Sequence, residues 1–237
     1  MTSLDRIKIF ADGASLPSML ESARDPRIAG FTTNPTLMRK AGISDYRAFA
    51  KEVLGAISDK PISFEVFADD VPEMRRQARE IATWGQNVYV KIPVTNTKRE
   101  PTTDLVRELA GAGVKLNVTA ICTLEQVRDV AQALKGGAPS VVSVFAGRIA
   151  DTGRDPIPLM KEALAICRAA GKSLELLWAS PRELLNIIQA AELGCDIITV
   201  TPDLLKKLEL VGKELADFSL ETVQMFFRDA QAAGFKL

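Results

Sequence analysis

Short apolar runs alternate eight times with longer segments of helical period along this chain, a pattern that few folds accept. The runs are Ile7–Asp12, Ile28–Thr32, Ile62–Phe67, Val88–Val94, Lys115–Ile121, Ser140–Ala146, Leu174–Ala179 and Ile197–Val200. Amphipathic stretches such as Val71–Thr83, Asp104–Ala112, Leu124–Leu134, Leu159–Ala169 and Arg182–Glu192 lie between them. Eight strand-then-helix units within 237 residues predict an α/β fold, a (β/α)8 TIM barrel with an additional C-terminal helix. A doubly wound open sheet is the alternative. It fits less well, because Asp12-Gly13-Ala14-Ser15 after the first run lacks the glycine spacing of a dinucleotide loop.

Gly30, Gly85, Gly113, Gly171 and Gly194 fall where helices should stop or strands begin. Thr123-Leu124-Glu125-Gln126 and Ser180-Pro181-Arg182-Glu183 read as capping boxes that open helices. No linker divides the chain, so residues 1–237 read as one barrel domain, with about 204–237 forming the last barrel helix and a helical tail. The tail's Met225-Phe226-Phe227 cluster is more apolar than a surface helix needs; it docks on another subunit or covers the barrel's own end.

Thirty basic and thirty acidic residues cancel, so net charge calls for neither a nucleic-acid nor a membrane partner. The chain has no histidine, which removes Ser-His-Asp triads, histidine zinc sites and every imidazole acid–base scheme. Cys122, Cys167 and Cys195 lack metal-like spacing and read as free thiols of a reducing compartment. Charged Asp5, Arg6 and Lys8 leave no room for a signal peptide, and no apolar run approaches the roughly 20 residues of a membrane span. A cytoplasmic protein with no metal or cofactor is expected.

Parallel barrel strands are buried on both faces, so their polar residues are the exceptions that need explaining. Lys91 stands in the middle of Val88-Tyr89-Val90-Lys91-Ile92-Pro93-Val94. Either it snorkels to water from a strand end, or burial pushes its pKa down from about 10.4 and leaves an amine suited to Schiff-base chemistry on a carbonyl. Asp12, Asn34, Glu65, Asn117, Thr119 and Ser143 are further polar residues in or just after strands. Each is an individually satisfied core polar, or else they converge, and Asp12, Glu65 and Lys91 can compensate one another only inside the barrel. Alternation places Ser63, Glu65 and Phe67 on one face, and likewise Lys115, Asn117 and Thr119, or Val141, Ser143 and Phe145. Ser180 and Arg182 open the helix after strand seven, a frequent phosphate site in barrels, and Arg148 after strand six could reach it. Plain N-capping explains Ser180 equally well. The Pro93–Pro101 stretch reads as an active-face loop.

The chain resembles transaldolases, in the short single-barrel branch shared with fructose-6-phosphate aldolases. The matching pieces are Phe10-Ala11-Asp12, Gly30-Phe31-Thr32-Thr33-Asn34-Pro35-Thr36-Leu37, Phe64-Glu65-Val66, Val90-Lys91-Ile92-Pro93, Asn117-Val118-Thr119, Ser143-Val144-Phe145-Ala146-Gly147-Arg148 and Ala179-Ser180-Pro181-Arg182. The resemblance implies that Lys91 forms the imine and that Asp12 takes and returns the proton of the C4 hydroxyl. It implies that Glu65, Thr119 and a water shuttle protons. Asn34, Asn117 and Ser143 would hold the dihydroxyacetone unit, and Arg148, Ser180 and Arg182 the phosphate. It also implies phosphorylated sugars as partners, no cofactor, and a homo-oligomer, pentamer or decamer, with the C-terminal helix reaching a neighbour. Glu65 and Phe145 match the transferring members; the aldolase members carry glutamine and tyrosine there and release free dihydroxyacetone.

Departures from the pattern lie around the pocket: Gly13-Ala14-Ser15 after Asp12, Ala120 and Cys122 after Thr119, Trp178 before Ala179, and the Thr95–Thr103 loop. By alternation Trp178 shares the inward face with Ser180 and narrows the phosphate end, unless it is a plain core aromatic. The alternatives to sugar-phosphate transfer are an aldolase of the same mechanism, a transaldolase of a specialised sugar pathway, and a non-catalytic sugar-phosphate-binding barrel.

Overall fold

The computed structural model describes residues 3–236. Met1, Thr2 and Leu237, part of the expected 1–237 domain, lie outside the described residues. Eight parallel strands close into a barrel in the order β1 to β8. They are β1 (Lys8–Asp12), β2 (Ile28–Thr32), β3 (Ile62–Glu65), β4 (Val88–Pro93), β5 (Leu116–Ile121), β6 (Ser140–Val144), β7 (Leu174–Trp178) and β8 (Ile197–Val200). The alternation read from the sequence is therefore the alternation of the fold, and the open sheet is excluded.

The connecting helices are α1 (Leu16–Arg24), α2 (Pro35–Lys40), α3 (Tyr46–Ala56), α4 (Val71–Ala82), α5 (Thr103–Gly111), α6 (Leu124–Leu134), α7 (Ala146–Ala150), α8 (Ile157–Ala170), α9 (Leu185–Leu193), α10 (Pro202–Lys206) and α11 (Leu215–Ala233). Contacts divide the chain into two compact units, one up to Leu205 and one from Lys206. The second contains a 3-10 turn (Lys207–Leu210) and α11. Within it Lys213 pairs with Glu221 and lies 5.0 Å from the Phe218 ring centroid. Its Phe226 and Phe227 side chains are 62% and 65% exposed. No helix among the described residues is long and apolar enough to cross a membrane.

Local chemistry explains where the elements begin and end. Thr123 and Gln126 form a reciprocal capping box at the start of α6, as the sequence predicts. Strand β3 stops at Glu65, two residues short of the expected Phe67, because Gln77 of α4 accepts from the Phe67 and Ala68 N–H groups at 2.9 and 3.1 Å. Phe67 therefore leaves the barrel face, 66% exposed, and its ring sits against Tyr46 with centroids 5.8 Å apart.

The Ser180 box does not form. Helix α9 starts at Leu185, and the Asn186 side-chain oxygen takes the Arg182 and Glu183 N–H groups at 2.8 and 3.2 Å. Ser180 itself adopts a left-handed φ of 62°, outside the extended range of a capping residue.

Phe10, Val141, Leu177, Ala179 and Ile197 form one buried cluster, with Phe145 packed against it. Gly30 is no joint; it is the third residue of β2, paired in register with Phe10. A Cβ at Gly30 would stand 2.6 Å from the Phe10 ring, so glycine here makes room for the aromatic that fills the cluster. Gly30→Ala should destabilise the protein by about 1–3 kcal/mol, the usual cost of overpacking. Urea unfolding should show a lower midpoint at unchanged slope; an unaltered midpoint would mean the ring moves aside freely.

Candidate active site

The strand register brings the sequence's polar exceptions together. Glu65 of β3 is paired with Lys91 of β4, and Lys91 with Asn117 of β5, so three adjacent strands present them in one layer. The Lys91 amine is buried at 6% exposure, lies 3.1 Å from Glu65 Oε2 and donates to the Thr33 carbonyl at 3.0 Å. Snorkelling is excluded. The burial expected from the sequence is there, and a carboxylate partner is there with it.

A cavity of about 580 Å3 opens on this amine. Its wall includes Asp12, Asn34, Glu65, Lys91, Asn117, Thr119, Ser143, Phe145, Arg148, Ser180 and Arg182, so every candidate residue read from the sequence meets in one place. Leu177, Ala179 and Phe145 belong both to the wall and to the apolar cluster, which makes that cluster the solid backing of the site.

Each polar wall residue is fixed by a neighbour. Ser143 donates to Asn117 Oδ1 at 2.6 Å, and Asn117 Nδ2 donates to Ser63 Oγ at 2.9 Å, locking the amide in one orientation. Asn34 caps α2 by accepting from the Leu37 N–H at 3.0 Å, which leaves its Nδ2 for a ligand. Thr32 donates to Asp12 Oδ1 at 2.8 Å and is also hydrogen-bonded to Thr199. The buried Thr119 hydroxyl has no partner among the described residues. A desolvated hydroxyl costs free energy until something bonds to it, so Thr119 is poised for a water or a substrate. Burial pushes the Asp12 carboxyl above its ordinary value, against the opposing pull of Lys91 and the Thr32 hydrogen bond.

At the cavity rim, Arg182 forms a bidentate ion pair with Asp151, whereas Arg148 and Lys40 have no ion-pair or hydrogen-bond partner among the described residues. Among the described residues no group of three His, Cys, Asp or Glu side chains could hold a metal ion.

Several expectations are corrected. Trp178 is fully buried but absent from the wall, while its neighbours Leu177 and Ala179 line it. The left-handed turn at Ser180 resets the alternation, so Trp178 packs outward and narrows nothing. No free helix N-terminus opens at Ser180 and Arg182: the Arg182 N–H is bonded to Asn186 Oδ1. The loop after β4 contributes no wall residue; Asn96 draws it back on itself by accepting from the Lys98 and Glu100 N–H groups. Of the departures after Thr119, Ala120 lines the cavity and Cys122 does not. Ala120 holds a φ of 63° where the β5–β6 register shifts.

Sequence reasoning missed Thr32, Thr199 and Lys40 as wall residues. Thr199 was detectable as the polar residue of the eighth apolar run; Lys40 was not, since nothing local to α2 says that it overhangs the cavity.

Comparison with known proteins bears on the family and the fold. The family model described as Transaldolase/Fructose-6-phosphate aldolase matches residues 9–237. A protein named probable transaldolase from Thermoanaerobacter sp. is 35% identical over 231 residues, covering 98% of this chain and all of the relative. Another of that name from Dehalococcoides mccartyi is 36% identical over 194 residues, 82% of this chain and 86% of the relative. Among solved structures, a putative phosphonomutase from Burkholderia cenocepacia superposes with a TM-score of 0.57 at 14% identity, covering 94% of both chains. Dihydrodipicolinate synthase from Rhodopseudomonas palustris gives 0.52 at 16% identity, covering 84% of this chain and 71% of the other. Likeness at that identity concerns the fold alone.

The raised Asp12 carboxyl has a consequence for stability. Folded Asp12 holds its proton more tightly than the unfolded chain, whose value is near 3.8. Stability therefore falls as pH rises from 3.8 through the folded value, and the penalty is complete above it. Asp12→Asn removes that penalty. Thermal unfolding should show the variant more stable than the parent at neutral pH, with the gap closing as the pH nears 3.8. Equal melting temperatures at neutral pH would contradict burial as the dominant cause.

Proposed function

The chain belongs to the transaldolase/fructose-6-phosphate aldolase family, and on that premise we propose that it transfers a dihydroxyacetone unit from a ketose phosphate to an aldose phosphate through an imine on Lys91. The observation that carries the proposal is the buried amine with a carboxylate 3.1 Å away and, in the same cavity, a Thr119 hydroxyl without a partner among the described residues.

Glu65 is within reach to take a proton from the Lys91 ammonium, freeing the lone pair that attacks the C2 carbonyl. The carbinolamine then loses water, with Glu65 and Thr119 passing the proton through a water molecule. Asp12 takes the C4 hydroxyl proton as the C3–C4 bond breaks. The electron pair of that bond moves into the iminium, giving an enamine and releasing the first aldose phosphate. The enamine carbon attacks the aldehyde of the second aldose phosphate, Asp12 returns its proton to the new hydroxyl, and water releases the product ketose. Environment separates the two acids: Glu65 is ion-paired to the amine, while Asp12 accepts a hydrogen bond from the Thr32 hydroxyl.

Asn34, Asn117 and Ser143 hold the three-carbon unit, and Arg148, Ser180 and Arg182 hold the phosphate. Phe145 brings no hydroxyl to the wall to protonate the enamine, which favours transfer over release of free dihydroxyacetone. The free thiols support a reducing, cytoplasmic setting. The exposed apolar side chains of α11 support assembly as a homo-oligomer, a pentamer or decamer.

Borohydride added with fructose 6-phosphate should trap one reduced dihydroxyacetone unit on the protein, found by mass spectrometry on the peptide carrying Lys91 and absent in Lys91→Ala. Asp12→Asn should lower kcat by roughly 10²–10⁴-fold, the range for a lost acid–base group. Cleavage of fructose 6-phosphate without any acceptor aldehyde would favour the aldolase instead. An adduct on another lysine, or none, would sink the mechanism.

A further inference from the structure

Arg182 and Asp151 meet in a fork, with the Arg182 Nε donating to Asp151 Oδ1 at 2.9 Å and its Nη2 to Oδ2. Asp151 ends α7, the short helix that also carries Arg148. Arg182 lies in the connection between β7 and α9. Both ends of the fork are themselves held. The Asp151 N–H donates to the Gly147 carbonyl at 2.9 Å, and the Arg182 N–H to Asn186 Oδ1 at 2.8 Å. The two segments touch because residue 147 is glycine: a Cβ there would stand 1.5 Å from the Ser180 carbonyl oxygen. Side chains at this pair are 44% and 50% exposed, where solvent screening leaves an ion pair little to add to stability. What the fork does supply is a direction for the guanidinium.

We propose that Asp151 is the positioning residue of the anion subsite: it occupies the Nε–Nη2 edge of Arg182 and so keeps the opposite edge, with three of the five N–H donors, in place beside Arg148 for the phosphate monoester of a sugar substrate. The proposal rests on the phosphate role given above to Arg148 and Arg182. An unheld arginine would lose rotamer freedom on each binding event; one already clamped by Asp151 has lost it beforehand. Hydrogen bonding from Arg182 holds the Asp151 carboxyl below its ordinary value, with both arginine charges adding to that pull, so the clamp stays ionised in neutral and mildly acidic solution.

Steady-state kinetics of the full chain, with erythrose as fixed acceptor and fructose 6-phosphate or fructose as donor, test this. In Asp151→Ala the KM for fructose 6-phosphate should rise roughly tenfold, more than kcat falls. The preference for the phosphorylated donor should shrink accordingly, and Asp151→Glu should recover part of it. The inhibition constant of inorganic phosphate should weaken in the same proportion. A loss shared equally by both donors, or an unchanged KM and phosphate inhibition, would overturn the role of Asp151 and leave that of Arg182 standing. A parent enzyme with no preference for fructose 6-phosphate over fructose would overturn the phosphate assignment, and the role of Asp151 with it.

Discussion

A buried ammonium and a partly buried carboxylate beside it govern the rest of this molecule. Removing two charges from water costs several kcal/mol each, and their attraction returns that only in good geometry with the remaining donors satisfied. The register Glu65↔Lys91 supplies the geometry from two adjacent strands, and the Thr33 carbonyl takes a further amine hydrogen. Apolar residues of similar volume often replace such a pair at no cost to the fold. On the proposed reading the charges serve chemistry rather than stability, and the Ser63–Asn117–Ser143 chain beside them holds the Asn117 amide still.

Much of the architecture was legible because parallel barrel strands are buried on both faces. Each strand reads as an apolar run, and a polar side chain within a run stands out. That contrast singled out Asp12, Glu65, Lys91, Asn117, Thr119 and Ser143, and all six reach the cavity. It did not extend to positions where backbone geometry departs from the regular strand. Trp178 and Ser180 were assigned to one face by a rule of two that a left-handed residue breaks. The Ser180 box failed because a side chain from inside the helix, Asn186, takes the amides first. Phe67 left the strand because a glutamine of the next helix claims the backbone just after Glu65. The cause is a backbone conformation in the first case and a side chain from the following helix in the other two, and no periodicity reveals either.

On the proposed reading, the same division separates what the sequence says about reaction from what it says about selectivity. The amine and its two acids lie in strands and carry their own signature. Lys40 and the Asp151–Arg182 fork lie in short helices and connections, and acquire meaning only when the chain closes into a ring. Ala120 is intermediate. Its small side chain was noted as unusual, but its left-handed backbone at a register shift was not visible before folding.

Glu65, Lys91 and Asn117 are stitched to one another through the sheet, whereas Arg148, Ser180 and Arg182 hang on chain that follows the strand ends. A substitution on the staves meets neighbours on the strands at either side, whereas one on the overhanging segments meets the chain packed at the rim, as Gly147 meets Ser180. On the proposed reading, the groups that make or break a carbon–carbon bond and those that choose the sugar therefore rest on mechanically separate parts of one ring.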